Sequence, residues 1–241
     1  TAVALKAPIA SPVFTGNVGV GVTPESTWHS THTVLQLGDR GALIDDAGGI
    51  TMMSNSYYDS GWKYLNTDLA TNYESKSGTH KFQVAPSGTA DSAISWNTVM
   101  NINNAGIVTK PLQPCFSATR TSNQILSTST ITLAELNIKE FDIGNNFNTS
   151  TNRFTAPVAG KYLFTAAIQL NGNGGTHTNL YVNGGSRNDG WLDFGSTTAS
   201  SQSRIFDLVS GDYVQLYTYA GSISSPHINS GRVKMTGFLI G

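Results

Sequence analysis

The stretch RFTAPVAGKYLFTAAIQL, residues 153–170, contains the clearest secondary-structure pattern in the chain. Pro157 and Gly160 mark a turn, and apolar and polar side chains alternate from Gly160 onward. One face of such a strand carries Tyr162, Phe164, Ala166, Ile168 and Leu170, and the other carries Lys161, Leu163, Thr165, Ala167 and Gln169. The alternation predicts a β-strand with one strongly buried face.

Similar short runs recur along the chain, separated by clusters of Gly, Asn, Asp and Ser at about 8–12-residue spacing, which is typical of a sandwich or barrel. They are TVLQL (33–37), GWKYL (61–65), HKFQVA (80–85), NTVMNI (97–102), TNLYVNGGS (178–186), GDYVQLYTYA (211–220) and RVKMTGFLIG (232–241). The chain is therefore predicted to be all-β. The best helical candidate is TLAELNIKEF (132–141), which also fits one turn followed by a strand.

Composition limits the classes of function. Charged residues make up 12% of the 241 residues and the formal net charge is −1, which argues against a nucleic-acid partner. No apolar run is long enough for a membrane span, so no membrane insertion is predicted. Cys115 is the single cysteine, which excludes a scaffold built on intrachain disulfides. A surface rich in Ser, Thr, Asn and Gly favours an extracellular or virion protein.

Three regions are predicted. Residues 1–24 contain Pro8, Pro12 and Pro24 and form an extended connector that gains order by packing against other copies of itself. Residues 25–110 form a smaller β-rich domain, and residues 109–114 read as a linker to a head at 115–241. Because the sequence does not begin with methionine, we expect the connector to continue from a longer chain.

Five blocks in the C-terminal region occur in order: CFSATRTSN (115–123), FDIGNNFNTSTNRFTAPVAGKYLFTAAI (141–168), LYVNG (180–184), SGDYVQLYT (210–218) and MTGFLIG (235–241). Together they resemble the C1q-like (C1q/tumour-necrosis-factor) globular domain over residues 114–241. The matching positions are Phe116, Phe154, Gly160, Tyr162, Phe164, Asn183, Gly184, Gly211, Asp212, Val214, Gly237 and Phe238. The resemblance implies a jelly-roll sandwich that assembles as a homotrimer.

The N-terminal part differs from animal members of that family. No Gly-X-Y collagen repeat precedes the head. Instead, LKAPIASPVFTGNVGVG (5–21) resembles a connector of bacteriophage tail fibres, and residues 60–102 look like a segment of phage and prophage fibre proteins. These resemblances imply an extracellular virion tail fibre, with other tail or fibre proteins and host polysaccharide or lipopolysaccharide as partners.

Four aromatic side chains are the candidate ligand-binding residues: Trp191, Tyr217, Tyr219 and His227. Flat rings beside Asn and Asp side chains suit a shallow glycan site, because they stack on sugar faces while the polar groups bond hydroxyls. Core or intersubunit packing of the same rings is the alternative, since aromatic residues are enriched at interfaces.

Catalytic and metal motifs are weak. The histidines of HSTH (29–32) are expected to point to opposite faces of an extended stretch, and GNVGVGV (16–22) lacks the helix of a dinucleotide loop and is better read as a strand. Serine, histidine and aspartate occur without a G-x-S-x-G nucleophile motif. Thus no catalytic residue, metal site or cofactor is predicted.

Several aspartates have two interpretations. Asp45 with Asp46, and Asp189 with Asp193, resemble the carboxylate pairs of glycosidases, but turn formation is the commoner reason for such residues.

The resemblance to C1q-like trimers, some of which hold calcium near their axis, adds Asp142 and Asp212 as calcium candidates. A turn explains Asp212 equally well.

The predicted function is non-enzymatic attachment of a virion to its host through a trimeric head. A structural fibre or decoration protein without receptor contact is the alternative, and a fibre-borne depolymerase is the third reading.

Overall fold

A computed structural model describes residues 13–46, 48–172, 174–186 and 198–241. Every regular element in these ranges is a β-strand, which confirms the all-β prediction. The same ranges contain no helix long and apolar enough to cross a membrane. The chain divides into two compact units, Thr1–Pro111 and Leu112–Gly241. Residues 1–12 of the predicted connector and the candidate Trp191 lie outside the described residues.

The N-terminal unit is built on one large sheet. Its strands are β1 (Val18–Val20), β2 (Thr33–Leu37), β3 (Gly41–Asp46), β4 (Gly49–Ser54), β7 (Asp68–Lys76), β8 (Thr79–Gly88), β9 (Asn97–Ile102) and β10 (Val108–Thr109). They lie side by side in that order, antiparallel except for the β1–β2 pair. A separate hairpin joins β5 (Ser56–Tyr58) to β6 (Trp62–Tyr64). The predicted connector thus supplies β1 to the edge of this sheet.

One face of this sheet is covered by the segment before β2 and by the β5–β6 hairpin. Trp28 packs edge-on against Tyr57, with ring centroids 6.0 Å apart, above Val34 and Ile44. The Trp28 indole nitrogen donates to Oε1 of the buried Gln36 at 3.3 Å. The core of this unit is therefore small, and the buried Gln36 side chain is hydrogen-bonded within it.

The prediction that His29 and His32 point apart was wrong. The His32 backbone N–H donates to the His29 carbonyl at 3.0 Å, so the segment is a tight turn and not an extended stretch. The turn brings the two imidazole rings to 5.9 Å, and both contact Tyr58.

The C-terminal unit is a two-sheet jelly-roll sandwich. The front sheet has the order β14 (Ile138–Ile143), β11 (Cys115–Thr119), β22 (His227–Leu239), β17 (Gly160–Leu170), β20 (Ala199–Leu208), and β12 (Gln124–Ile125) also pairs with β22. The back sheet has the order β15 (Phe147–Asn148), β16 (Arg153–Thr155), β21 (Tyr213–Ala220), β18 (Thr176–Val182), β19 (Gly185–Ser186), and β13 (Thr130–Leu133) also pairs with β21. The sequence RFTAPVAGKYLFTAAIQL thus spans β16, a turn and β17.

Aromatic rings fill the space between the two sheets. Phe154 lies 5.0 Å from Phe116 and 5.4 Å from Phe164, measured between ring centroids, and all three rings are fully buried. A Cβ on Gly237 would lie 2.7 Å from both Phe116 and Phe164, so this position requires the absence of a side chain. The buried face of β17 is the one that the alternation predicts.

A helix over 132–141 does not form. Thr130–Leu133 form β13 and Ile138–Ile143 form β14. Of the alternative interpretation, one turn followed by a strand, the strand is therefore confirmed. The Leu136 backbone N–H donates to the Asn152 side chain at 2.6 Å, and Leu136 itself is fully buried. Pairing with neighbouring strands therefore overrides the local helical spacing.

The last residues of the chain are held in the front sheet. Leu239 is paired with Tyr162, and the Ile240 N–H donates to the Lys161 carbonyl at 2.8 Å. The side chains of Phe238 and Ile240 nevertheless point outward, with 40% and 45% of their surface exposed. The outer face of the front sheet is consequently apolar at the C-terminal end of β22.

Candidate functional site

The outer face of the back sheet carries a line of aromatic side chains that we call the aromatic strip: Tyr181 and His177 on β18, and Tyr213, Tyr217 and Tyr219 on β21. Val214 and Leu216 of β21 are fully buried in the core, so Tyr213, Tyr217 and Tyr219, at the alternate positions of the strand, face outward. From Tyr213 to Tyr219 the strip spans about 20 Å along the strand.

Ring contacts across the two strands order the strip. Tyr217 stacks on Tyr181 with centroids 4.2 Å apart, and Tyr219 meets His177 edge-on at 5.3 Å. At the other end, the Arg153 guanidinium carbon lies 3.9 Å above the Tyr213 ring. Half-buried rings fixed in this way present flat apolar faces next to phenol hydroxyls, which is the chemistry of a shallow sugar-binding surface.

The four candidates from the sequence do not form one cluster. Tyr217 and Tyr219 share the aromatic strip, whereas His227 begins β22 in the front sheet and pairs with Ile125. The His227 backbone N–H donates to the Asn171 side chain at 2.8 Å. Trp191 falls outside the described residues. The structure therefore brings together two of the four.

Tyr181, His177 and Tyr213 are members of the strip that the sequence candidates did not include. The alternation in THTNLYV places His177 and Tyr181 on the same outward face, so a signal existed. Their approach to β21 depends on register, because Tyr181 lies opposite Gln215 and His177 opposite Tyr219. The sequence of either strand alone does not determine the register between two distant strands.

The outer face of the front sheet has a different character. One residue from each of five adjacent strands forms a line that we call the front row: Ile143, Cys115, Phe238, Leu163 and Ile205. Each is directly opposite the next across the sheet, so the line is about 19 Å long. Ile205 is 59% exposed, although it is as apolar as a core residue.

The comparisons with known proteins concern this same unit. The family model of the C1q domain matches residues 115–240, more than half of the chain. The chain belongs to the C1q-domain family. The curated proteins contain no match to it.

Two solved structures are similar to the C1q domain of this chain. The globular domain of the zebrafish complement 1qA protein is 22% identical, with 54% of this chain and 98% of that chain covered and a TM-score of 0.41. Murine APRIL is 11% identical, with 53% and 99% covered and a TM-score of 0.39.

Polar pairs border the front row of the C1q domain. The Lys161 ammonium lies 3.5 Å from Asp207 on one side, and on the other side the Thr165 and Thr236 hydroxyls are hydrogen-bonded at 2.6 Å. Within the row, burial and then the charge of Asp142 raise the pKa of the Cys115 thiol. The thiol therefore stays protonated at neutral pH and behaves as a small apolar group.

Glu140 adds a charge-assisted link at the border of the row. Its carboxylate accepts from the Lys234 ammonium at 2.8 Å and from the Ser117 hydroxyl at 2.6 Å. These two bonds, the one from Lys234 first, hold the pKa of Glu140 below its ordinary value of 4.5. Because the pKa of Glu140 is lower in the folded state than in the unfolded state, its bonds stabilise the fold fully at pH values above the unfolded-state pKa. This stabilisation is lost as the pH falls through the folded-state pKa.

A Glu140→Gln variant tests this link. We expect its melting temperature at pH 7 to be slightly lower than that of the unsubstituted protein, because an exposed pair contributes at most about 1 kcal/mol. The difference should shrink as the pH falls below 4.5, the ordinary pKa of the glutamate. Thermal unfolding monitored by circular dichroism at both pH values measures it, and a pH-independent difference would contradict the assignment.

The aspartates considered for calcium serve turns of the C1q domain. Asp142 accepts from the Asn146 and Phe147 backbone N–H groups at 2.9 and 3.1 Å. Asp212 accepts from the Asn183 side chain at 2.7 Å and from the Val209 N–H at 2.9 Å. Both carboxylates are thus engaged in local hydrogen bonds, as the turn reading of Asp212 predicts. Within the described ranges, no three His, Cys, Asp or Glu side chains are grouped as metal ligands.

Proposed function

We propose that the chain is a non-enzymatic attachment protein of a virion tail fibre, whose C1q-domain head forms a homotrimer and binds polysaccharide or lipopolysaccharide on the host surface. The observation that carries the proposal is the contrast between the two outer faces of the head. The front sheet presents an apolar row, whereas the back sheet presents ordered aromatic rings beside polar groups.

The front row supports self-association. Apolar side chains such as Ile205 and Phe238 form the centre of the face, and the Lys161–Asp207 pair lies at its border. An apolar centre with a polar rim is the usual anatomy of a protein interface. In a trimer, the front sheets of three copies would bury these rows against one another and leave the back sheets facing outward.

The aromatic strip supports glycan binding. The stacked pair Tyr217–Tyr181 and the edge-on pair Tyr219–His177 keep their rings in fixed orientations without enclosing a deep pocket. A flat surface of this kind contacts one or two sugar rings weakly. Three copies on one head, each with such a strip, would give useful affinity for a repeating polysaccharide through avidity.

The fibre context rests on the sequence. The stretch LKAPIASPVFTGNVGVG (5–21) and residues 60–102 resemble segments of bacteriophage fibres, and this supports other tail or fibre proteins as partners and an extracellular position on the virion. The Asp142 and Asp212 carboxylates accept backbone and side-chain hydrogen bonds in turns, which accounts for both residues without a calcium ion.

A structural fibre or decoration protein without receptor contact is the second candidate. Half-burial of Tyr217 and Tyr219 within their own sheet favours it, because rings that serve packing need no ligand.

A Tyr217→Ala/Tyr219→Ala variant of the full chain separates the two candidates on an array of bacterial surface polysaccharides. We expect the unsubstituted chain to bind and the variant to lose at least about tenfold in apparent affinity, since each lost stacking contact is multiplied across three copies. No binding by either protein would favour the structural role, whereas equal binding by both would show that the glycan site lies outside the aromatic strip. Release of reducing sugar ends would instead show a depolymerase.

The matched control for the array is Tyr217→Phe/Tyr219→Phe. It keeps both rings and removes only the hydroxyl groups, so we expect it to retain most of the binding. Both variants should keep the solution mass of the unsubstituted chain, because the strip lies on the back sheet.

A further inference from the structure

The N-terminal sheet carries its own apolar line, which we call the shaft row: Val18, Leu35, Leu43, Met52, Tyr73, Phe82 and Met100. Each of these residues lies on a different strand and is directly opposite the next one, from β1 through β2, β3, β4, β7 and β8 to β9. Paired residues in neighbouring strands share a face of the sheet, so all seven side chains project to the same side.

The shaft row lies on the face that the Trp28 cluster does not cover. Met52 is 57% exposed and Phe82 41%, although their strand neighbours Met53 and Ala85 are buried on the other side. The covered face is also apolar, since Val34 and Ile44 are buried there beside Thr51 and Asn72. The sheet thus differs from an ordinary half-solvated sheet, in which the open face is polar.

The open face is as large as the largest apolar patches of single chains. Seven strands at about 4.8 Å spacing give a row of about 29 Å. The flanking apolar side chains Leu37, Ile50 and Val84 are 49%, 53% and 38% exposed, and polar residues, among them Asp45 opposite Ile50, lie in the same flanking rows. At a depth of about 20 Å the face covers roughly 600 Å², which is the upper end of the usual largest patch of a monomer and the lower end of the area per partner in a protein interface.

We propose that a second copy of this chain covers the shaft row, so that the N-terminal unit is a self-association surface in its own right, separate from the front row of the head and from the aromatic strip. The area lies at the lower end of subunit interfaces. None of the seven side chains is charged and the Asp45 carboxylate lies beside the row, so the rows themselves do not repel one another. In the proposed homotrimer each row would meet those of the other two copies around the common axis, with apolar side chains interdigitating between the sheets.

Oxidation of methionine reports directly on this face in the unmodified full chain. Met52 projects from the row, whereas Met53 is 5% exposed and Met235 is fully buried within the chain. After treatment with dilute hydrogen peroxide, fragment-ion mass spectrometry of peptides separates the two adjacent methionines. We expect Met52 to react roughly tenfold more slowly than methionine in the denatured chain, approaching the rate of Met53.

Charge on the face should remove the protection. In a Leu43→Glu/Phe82→Glu variant we expect Met52 to react within about twofold of the denatured rate, because carboxylates cannot be buried in an apolar interface. The control is Ile107→Glu, at a turn residue that is 58% exposed and outside the row, and it should leave the protection intact. A native circular dichroism spectrum confirms that each variant is folded.

Three results would overturn the proposal: rapid oxidation of Met52 in the unmodified chain, protection of Met52 in a chain that light scattering shows to be a single copy, or loss of protection on deletion of residues 1–12 alone. The outcome is independent of the glycan proposal. Failure of polysaccharide binding would leave the protection of Met52 unchanged, and rapid oxidation of Met52 would leave the binding of the head unchanged.

Discussion

In the Leu43→Glu/Phe82→Glu background, in which the shaft row is charged, an added Leu163→Glu substitution is expected to dissociate the protein into single chains. Leu163 lies in the middle of the front row, directly opposite Phe238 on one side and Ile205 on the other. In the trimer that we propose, each copy would bring one carboxylate into an apolar interface, and an unpaired buried charge costs several kcal/mol. Light scattering should show the mass falling to 25.6 kDa, with an unchanged circular dichroism spectrum because the side chain points away from the core.

Ile131→Glu is the matched control for that variant. Ile131 is 44% exposed, but it lies on β13 at the back sheet, opposite Tyr219. In the same background it should keep the mass of the Leu43→Glu/Phe82→Glu protein. A Leu163→Glu chain that keeps that mass would contradict the assignment of the front row as the interface. With dissociation, apparent affinity for polysaccharide should also fall by about 100-fold, since avidity is lost.

The next residue along the strand should give the opposite phenotype. Phe164 is fully buried and its ring contacts those of Phe116, Phe154 and Phe206. A Phe164→Ala variant is expected to lower the free energy of unfolding of the C1q domain by about 3–5 kcal/mol, because it removes apolar burial and leaves a cavity. The corresponding fall in melting temperature is about 10 °C or more, measured by calorimetry.

Val158→Ala is the control for the core variant. Val158 is 47% exposed in the turn before β17, so its truncation should change stability by no more than about 0.5 kcal/mol. Phe164→Leu should fall between the two, because it keeps part of the volume. Equal melting temperatures for Phe164→Ala and Val158→Ala would contradict the central position of Phe164 in the core.

Local alternation was sufficient to predict several strands with their bounds. The run TVLQL forms β2 over Thr33–Leu37, NTVMNI forms β9 over Asn97–Ile102, and GKYLFTAAIQL forms β17 over Gly160–Leu170. The Asn-Gly pair that ends the run TNLYVNGGS forms a turn, with positive φ at both Asn183 and Gly184. In these places the side-chain pattern and the turn chemistry agree, so the local sequence determines the local structure.

Features that depend on pairing between distant strands were not predictable. The front row joins Cys115 to Phe238 and the shaft row joins Val18 to Met100 through five intervening strands. In the sequence, each residue of the two rows is an ordinary apolar position of an alternating strand. Only the register between strands places these residues side by side. For the same reason Tyr217 and Tyr219 could be placed on one face, whereas their ring partners on β18 could not.

Adsorption to intact bacterial cells tests the proposed attachment to the host surface most directly. The full chain, labelled with a fluorophore, is titrated onto two otherwise identical bacterial strains, of which only one carries surface polysaccharide. We predict saturable adsorption to the strain with polysaccharide, competition by the free polysaccharide, and no adsorption to the other strain. Equal adsorption to both strains, or adsorption that the Tyr217→Ala/Tyr219→Ala variant retains in full, would contradict the account.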